Sequence, residues 1–290
     1  MQKKKVLVTG AAGFIGTHVI DQLLKKNCTV IATDINEEVA QRKEWYGKVD
    51  FVEHMIGQEK EGEDLFIKFL RPDCMIHLAW FGLPNYKALF HIEENLPKQY
   101  FFLKKLVAGG LKDITVSGTC FEYGMKTGCL TEATLPEPGN SYALAKNTLR
   151  LFLEELKKET SFSLKWVRLF YLYGKGQNPK SLFPQLDDAL QKNEEVFNMS
   201  GGEQVRDYLP VEKVAENIVL VALQNEVTGV INCSSNQPVK VKDLVQEYIK
   251  SKGKSIKLNL GYYPYPDFEP MEFWGDNEKL KSIIANAVLR

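Results

Sequence analysis

The chain has 290 residues, 44% of them hydrophobic, and its 37 Lys and Arg are matched by 37 Asp and Glu. Such a length and apolar content can fill one large packed domain or two unequal ones, and without net charge there is no long-range field to draw in nucleic acid or an anionic membrane. The five cysteines (Cys28, Cys74, Cys120, Cys129, Cys233) are odd in number, widely spaced and free of any C-x-x-C pair, which speaks against a disulfide framework or a metal site and for reduced thiols.

Lys3-Lys4-Lys5 before Val6-Leu7-Val8 has the outline of a signal peptide, but glycines interrupt the apolar run and His18 and Asp21 close it. No stretch reaches the roughly 18 continuous apolar residues of a spanning helix. Neither export nor a membrane anchor is expected, and the expected compartment is the cytoplasm. Val6-Leu7-Val8 reads instead as a short buried parallel strand. A helix pattern follows from about Phe14 to Lys26, then strands at 29–34 and 49–52, and, after the breaker Arg71-Pro72-Asp73, a strand at 74–78. The spacing predicts an amphipathic helix from about Ile92 to Ala108 ended by Gly109-Gly110, and a fifth strand at 113–117. A helix running past Lys146 to about Lys158 and a sixth strand at 164–170 complete the series. Strand and helix alternating in this way predict an α/β fold with a Rossmann-type, doubly wound parallel sheet. Beyond it, Gly174, Gly176, Pro179, Pro184, Gly201 and Gly202 break the chain, and Tyr262-Tyr263-Pro264-Tyr265-Pro266 is irregular. These segments predict a smaller C-terminal substrate-binding lobe, while 211–223 with Val230-Ile231-Asn232 returns to the sheet.

Gly10-Ala11-Ala12-Gly13-Phe14-Ile15-Gly16 joins the first strand to the first helix, and so sets backbone N–H groups and the positive helix end against a phosphate. Gly10 permits the tight turn, Gly13 the approach of a dinucleotide, and Gly16 the close packing of helix on sheet. An ordinary glycine-rich turn is the alternative, and Asp34 weakens it, because a carboxylate at the end of the second strand can accept the ribose hydroxyls. That carboxylate also repels a 2′-phosphate, so NAD is the expected cofactor, with NADP left open by Arg42 and nearby lysines, although Arg42 and Lys43 read first as a solvated helix face. The expected division is residues 1–170 plus about 207–233 for the NAD-binding domain and about 171–206 plus 234–290 for the lobe.

Tyr142 and Lys146 stand at i and i+4, on one helix face. An ammonium beside a phenol favours the phenolate, so Tyr142 is expected to act as acid or base near neutral pH. Alone, such a pair is more often a packing contact. The polar strand end from Ser117 to Gly124, placed at the carboxyl edge of the sheet where open α/β folds bind ligands, reverses that preference. His77 reads as a core residue, and His91, near a helix start, as partly buried.

The stretches 10–16, 72–79, 117–124 and 202–208, with Asp34, Asn95, Tyr142, Lys146 and Arg168, resemble the extended short-chain dehydrogenase/reductases, in particular their NAD-dependent epimerase/dehydratase branch acting on nucleotide sugars. The match runs from residue 1 to about 235. The resemblance implies that Thr119 hydrogen-bonds the sugar hydroxyl or ketone, that Tyr142 is the acid/base, and that Lys146 binds the nicotinamide ribose. It further implies cofactor contacts from Phe14, Ile15, Ile35, Leu78, Ala79, Trp80, Asn95, Ser117 and Leu169. Substrate contacts are expected from Trp80, Thr119, Tyr171 and Arg206, the last at the phosphates, with Asn178, Phe183 and Gln185 assigned to the pocket wall. Cys120 and Phe121 occupy the places where the sugar 4,6-dehydratases carry Asp-Glu, so dehydration is not expected, and Cys120 reads as a small buried residue. Tyr171 replaces an Asn common in epimerases, and 53–57 lacks an Asp beside the adenine. The apolar insert 79–84 is similar to deoxysugar 4-ketoreductases that make dTDP-fucose or CDP-abequose. The implied function is NAD(P)-dependent reduction of the 4-keto group of a nucleotide-linked 6-deoxyhexose such as dTDP-4-keto-6-deoxyglucose. A UDP-glucose-type 4-epimerase is the alternative, and a non-catalytic dinucleotide-binding regulator the second. The resemblance also implies a homodimer through a four-helix bundle of the helices at 92–108 and 142–158.

Overall fold

The first apolar run forms strand β1 (Lys5–Thr9), with Val6, Leu7 and Val8 fully buried, in the computed structural model of the chain, which describes residues 3–288. The outermost ends of the expected division, at residues 1 and 290, lie outside the described residues. A continuous apolar run rather than an alternating one is what a strand covered on both faces requires. It is followed by α1 (Phe14–Lys25), β2 (Thr29–Asp34), α2 (Glu37–Gln41), β3 (Asp50–Glu53), α3 (Leu65–Lys68) and β4 (Cys74–His77). A long loop then leads through one π-helical turn at His91–Asn95 into α4 (Leu96–Gly109). The helix expected to be regular from Ile92 is wound wider there because Pro97 has no N–H to give to Glu93.

Strand β5 (Asp113–Thr119) ends in a 3₁₀ turn at Cys120–Tyr123, and β6 (Gly128–Leu130), α5 (Ser141–Glu159) and β7 (Ser163–Leu169) follow. The rest of the chain supplies β8 (Tyr171–Tyr173), α6 (Leu182–Gln191), β9 (Val196–Asn198), β10 (Val205–Arg206), β11 (Tyr208–Pro210), α7 (Val211–Leu223) and β12 (Gly229–Cys233). It closes with β13 (Val239–Lys240), α8 (Val241–Ser251), β14 (Lys257–Asn259), β15 (Phe273–Gly275) and α9 (Glu278–Val288).

Seven strands form one parallel sheet in the order β12-β7-β5-β4-β1-β2-β3. One face buries Val19, Ile20 and Leu23 of α1 with Val214, Ile218 and Val221 of α7 and Leu280 and Ile283 of α9. The other buries Phe102, Leu103 and Leu106 of α4 with Leu149 and Leu153 of α5. A separate apolar cluster joins α6, β9 and α8, and the short strands pair two by two, β8 with β11 and β9 with β14 among them. Among the described residues no helix is long and apolar enough to cross a membrane.

The connections run from β1 to one side and from β4 to the other, so a crevice opens at the carboxyl ends of these two strands. Gly10 and Gly16 make it possible. Gly10 holds a φ of +66°, and a Cβ there would lie 2.9 Å from the Ala79 nitrogen. A Cβ on Gly16 would lie 2.1 Å from the Gly10 carbonyl oxygen and 2.8 Å from that of Ala11. Those atoms are backbone and have nowhere to go. Gly16→Ala is therefore expected to destabilise the protein by about 3 kcal/mol or more, whereas Gly47→Ala, whose Cβ meets nothing within 4 Å, is expected to unfold at the same urea concentration as the parent chain.

Candidate active site

The crevice widens into a cavity of about 1010 Å³ at the carboxyl edge of the sheet. Of the residues expected at the site, all but Ser117, Lys146, Phe183, Gln185 and Arg206 line it. At one end, α1 begins at Gly13 with no side-chain cap, although Asn36, Asp64 and Asn140 cap α2, α3 and α5. Its first N–H groups are thus left to an anion. The Asp34 carboxylate accepts from Ala12 N and Ile35 N, both at 2.8 Å. It ties the glycine loop to the tip of β2 while still facing the cavity. An uncapped helix start, a carboxylate on the next strand and a floor of Leu78 and Ala79 fit a dinucleotide whose pyrophosphate lies on α1. Beyond Asp34 the wall is His54, Met55 and Ile56. His54 is held between Glu59 at 3.3 Å and Lys68 at 3.1 Å, and burial and the Lys68 charge push its imidazole below the usual range.

At the other end stand Thr119 and Tyr142. Thr119 closes β5 and opens the 3₁₀ turn through a reciprocal cap, in which Phe121 N donates to its hydroxyl at 3.3 Å and Thr119 N donates to Glu122 at 2.9 Å. Glu122 is fully buried and accepts from Trp166 Nε1 at 2.9 Å and Arg168 Nε at 2.8 Å. Tyr142 is the second residue of α5, whose start Asn140 caps at 2.9 Å through Ala143 N. One turn on, the Lys146 ammonium donates to the Ser117 carbonyl at 2.9 Å. Ser117 and Lys146 therefore form the layer behind the cavity wall.

Tyr142 is not lowered by its surroundings as the sequence predicts. Burial raises its phenol well above the ordinary value, the charges of Tyr86, Glu122 and Cys120 add to that, and a hydrogen bond with the Thr119 side chain pulls the other way. The same burial lowers Lys146 to about 7, opposed by Glu122. In a wall this dry, desolvation outweighs the attraction between phenolate and ammonium.

The substrate end departs further from expectation. Arg206 is 1% exposed and does not face the cavity: it pairs with Glu269 at 3.0 Å and donates to the Val205 and Met271 carbonyls. Tyr171 lines the cavity and donates to the same Glu269 at 2.5 Å. Phe183 is buried among Tyr173, Tyr208 and Tyr248, because α6 turns its apolar stripe to α8 and away from the cavity. Gln185 points from α6 to solvent and donates to the Lys180 carbonyl. His91, expected at the surface in part, is fully buried, since the loop 78–90 folds back over it. His77 is a core residue hydrogen-bonded to Thr9 at 2.8 Å and lowered by burial to about 3. Cys120 is buried and its thiol raised by desolvation.

Three residues not foreseen shape the wall beside Tyr142. Tyr86 packs on Phe121 at 5.2 Å and on Tyr142 at 5.6 Å between centroids, and its carbonyl accepts from Tyr142 N at 2.9 Å. Phe268 closes on Tyr86 and Phe121 at 5.9 and 6.0 Å. Glu122 is the third, and its signal was in the sequence: Thr-x-x-Glu is the spacing of a capping box. Tyr86 and Phe268 lie in irregular segments and carry no such signal. Among the described residues no group of three His, Cys, Asp or Glu is placed to hold a metal ion.

A family model described as the NAD dependent epimerase/dehydratase family matches residues 6–234. Among curated relatives, dTDP-6-deoxy-L-talose 4-dehydrogenase (NAD(+)) of Aggregatibacter actinomycetemcomitans is 29% identical over 276 residues, covering 93% of this chain and 98% of the relative. UDP-arabinose 4-epimerase 1 of Arabidopsis thaliana is 24% identical, covering 95% and 73%. The UDP-glucose 4-epimerase of Thermotoga maritima, solved with UDP-glucose, superposes with a TM-score of 0.80 at 27% identity, covering 96% of this chain and 91% of that one. The UDP-glucuronic acid 4-epimerase of Bacillus cereus, solved with UDP-glucuronic acid and NAD, has a TM-score of 0.81 at 24% identity, covering 97% and 93%.

The lowered Lys146 has a thermodynamic consequence. Its folded value of about 7 lies below the 10.5 of a free lysine, so between these the unfolded chain binds more protons and the residue's destabilising effect fades as pH rises. Lys146→Met is expected to be more stable than the parent chain at pH 7 and below, with the difference narrowing towards pH 10, as read from urea unfolding at a series of pH values.

Proposed function

The chain belongs to the NAD-dependent epimerase/dehydratase family, and from that premise we propose that it reduces the 4-keto group of a nucleotide-linked 6-deoxyhexose. It is an NAD-dependent enzyme of nucleotide-sugar chemistry. The observation that carries redox chemistry at C4 over elimination is the pairing of Thr119 and Tyr142 on the cavity wall while the two residues after Thr119 are a buried thiol and a phenyl ring. Elimination of water needs an acid and a base beside the redox pair, and Cys120 and Phe121 supply neither.

When bound, the nicotinamide supplies or accepts the hydride. The Thr119 hydroxyl, fixed by the Glu122 cap, orients the sugar oxygen, and Tyr142 delivers its proton to that oxygen as the alkoxide forms. A phenol held in its protonated form at neutral pH suits the donor role that reduction needs. Lys146 orients and balances charge from behind the wall. The aromatic surface of Trp80, Tyr86 and Phe121 excludes water and favours an apolar sugar substituent such as a methyl group. The relative from Aggregatibacter is named for oxidation at C4 of a dTDP-linked 6-deoxyhexose, which is this step in the opposite direction. The numerous 4-epimerases among the relatives support the second reading, in which the same residues oxidise C4 and reduce it on the other face. Pairing of two copies through α4 and α5 belongs to the same proposal: Phe101, Leu144, Leu151 and Phe152 stand exposed on those helices, an apolar face that a second chain can cover.

The deciding experiment offers dTDP-4-keto-6-deoxyglucose with NADH or NADPH and follows the reduced cofactor. Stoichiometric consumption supports the reductase. Interconversion of UDP-glucose and UDP-galactose without net consumption would establish the epimerase instead, and a dinucleotide-binding regulator would do neither. Tyr142→Phe is expected to lower kcat about 10²- to 10⁴-fold with NADH binding retained. Asp34→Ala is expected to weaken NADH binding and to bring NADH and NADPH affinities closer together, measured by fluorescence titration, because it removes the carboxylate that repels a 2′-phosphate.

A further inference from the structure

Trp80 stands just past β4, on the cavity wall, and its indole has three close partners. The Lys146 Nζ lies 4.3 Å from its ring centroid. The Tyr142 ring meets it edge-on at 5.9 Å. Its Nε1 donates to His91 Nδ1 at 3.0 Å. His91 is fully buried in the π-helical turn before α4, and its Nδ1 also accepts from Asn95 Nδ2 at 3.2 Å. With Nδ1 occupied as an acceptor, Nε2 carries the proton and donates to the Asn85 carbonyl at 3.1 Å. Burial keeps the imidazole neutral, and the contact needs this, because a protonated Nδ1 has no lone pair to offer the indole.

Lys146 has few means of staying charged. Among the described residues its one hydrogen bond is to a neutral carbonyl, and Glu122, in the 3₁₀ turn, reaches it only as a field. The other titratable groups facing it give no counter-charge: His77 on β4 is neutral, His91 is neutral, and Tyr142 on its own helix keeps its proton. The negative face of an indole is what remains, and a ring face counts for most when the cation is desolvated.

We propose that His91 is a positioning residue for the Tyr142–Lys146 pair: through the Trp80 N–H it holds the indole face over the ammonium and so keeps Lys146 charged in a site with no carboxylate in contact with it. This rests on the reading of Tyr142 and Lys146 as the catalytic pair. It gives the loop 78–90, whose Asn85 carbonyl orients the imidazole, a task beyond shaping the pocket.

The test titrates Lys146 in the full chain labelled with ¹³C at lysine Cε, its resonance assigned with Lys146→Met. His91→Leu removes the acceptor and is expected to move the Lys146 midpoint down by about one pH unit, and to move the basic limb of the kcat/KM profile with it. His91→Gln, which keeps an acceptor for the indole and a donor for Asn85, is expected to restore the parent midpoint. In a Trp80→Phe background, where a ring face remains but no N–H does, His91→Leu is expected to add no further shift. Should His91→Leu fail to fold, Trp80→Leu against Trp80→Phe reads the same contact, with the lower midpoint expected in the Leu variant. An unmoved midpoint in His91→Leu, an equal shift in the Phe background, or equal midpoints in the two Trp80 variants would each overturn the proposal. The titration needs no turnover, so failure to reduce any keto sugar would count against the proposed reaction and leave the role of His91 to be judged separately.

Discussion

Because the Glu122 carboxylate is fully buried and taken up by the Thr119 amide, the Trp166 indole and the Arg168 guanidinium, it ties β5 and β7 to one point. Arg168 in turn lies over the Tyr123 ring at 4.3 Å, and the Tyr123 hydroxyl donates to Asn232 at 2.7 Å. The ends of β5, β7 and β12 are thereby held together beneath the active site. A buried ion pair of this kind adds little net stability compared with apolar packing, but breaking it costs about 3–5 kcal/mol because an uncompensated charge is left behind. Its value here is positional. The cap fixes Thr119 at the cavity wall, and the field of Glu122 raises both Tyr142 and Lys146, keeping the proton on each.

The same logic governs the opposite wall, with a different result. Glu269 neutralises Arg206 and accepts from Tyr171, so the cation expected to meet a phosphate anchors the segment that carries Glu269. Next to it Asp267 pairs with Lys87 at 2.8 Å and Phe268 packs on Tyr86. These contacts draw the C-terminal segment against the loop after β4 and close the aromatic side of the cavity. Lys98, which pairs with Glu94 at 2.7 Å, and Lys180, just before α6, are the lysines on the lining.

Much of this was legible locally. Gly10 and Gly16 announce a tight strand-to-helix turn, and Asp34 a carboxylate at the tip of the next strand, because each acts through backbone geometry within one strand, turn and helix. Tyr142 and Lys146 are one helical turn apart, and Thr119 and Glu122 one cap apart, so their relation is set by spacing. Arg206 was misread because its partner Glu269 lies on another segment whose course no periodicity indicates. His91 was misplaced for the same reason: what covers it is a loop without regular structure.

The sequence by itself determined the alternation of strand and helix through β7, the return to the sheet at 211–232, and the glycine turn between β1 and α1, since these follow from periodicities and contacts within a few residues. Only the tertiary structure decided how those side chains are charged and which of them reach the cavity. Burial is a property of everything packed around a group: it raised Tyr142 and lowered Lys146 against the simple pairwise expectation, and it turned Arg206 inward. Spacing along the chain carries no record of that desolvation, because the residues that exclude the water come from segments far apart in sequence.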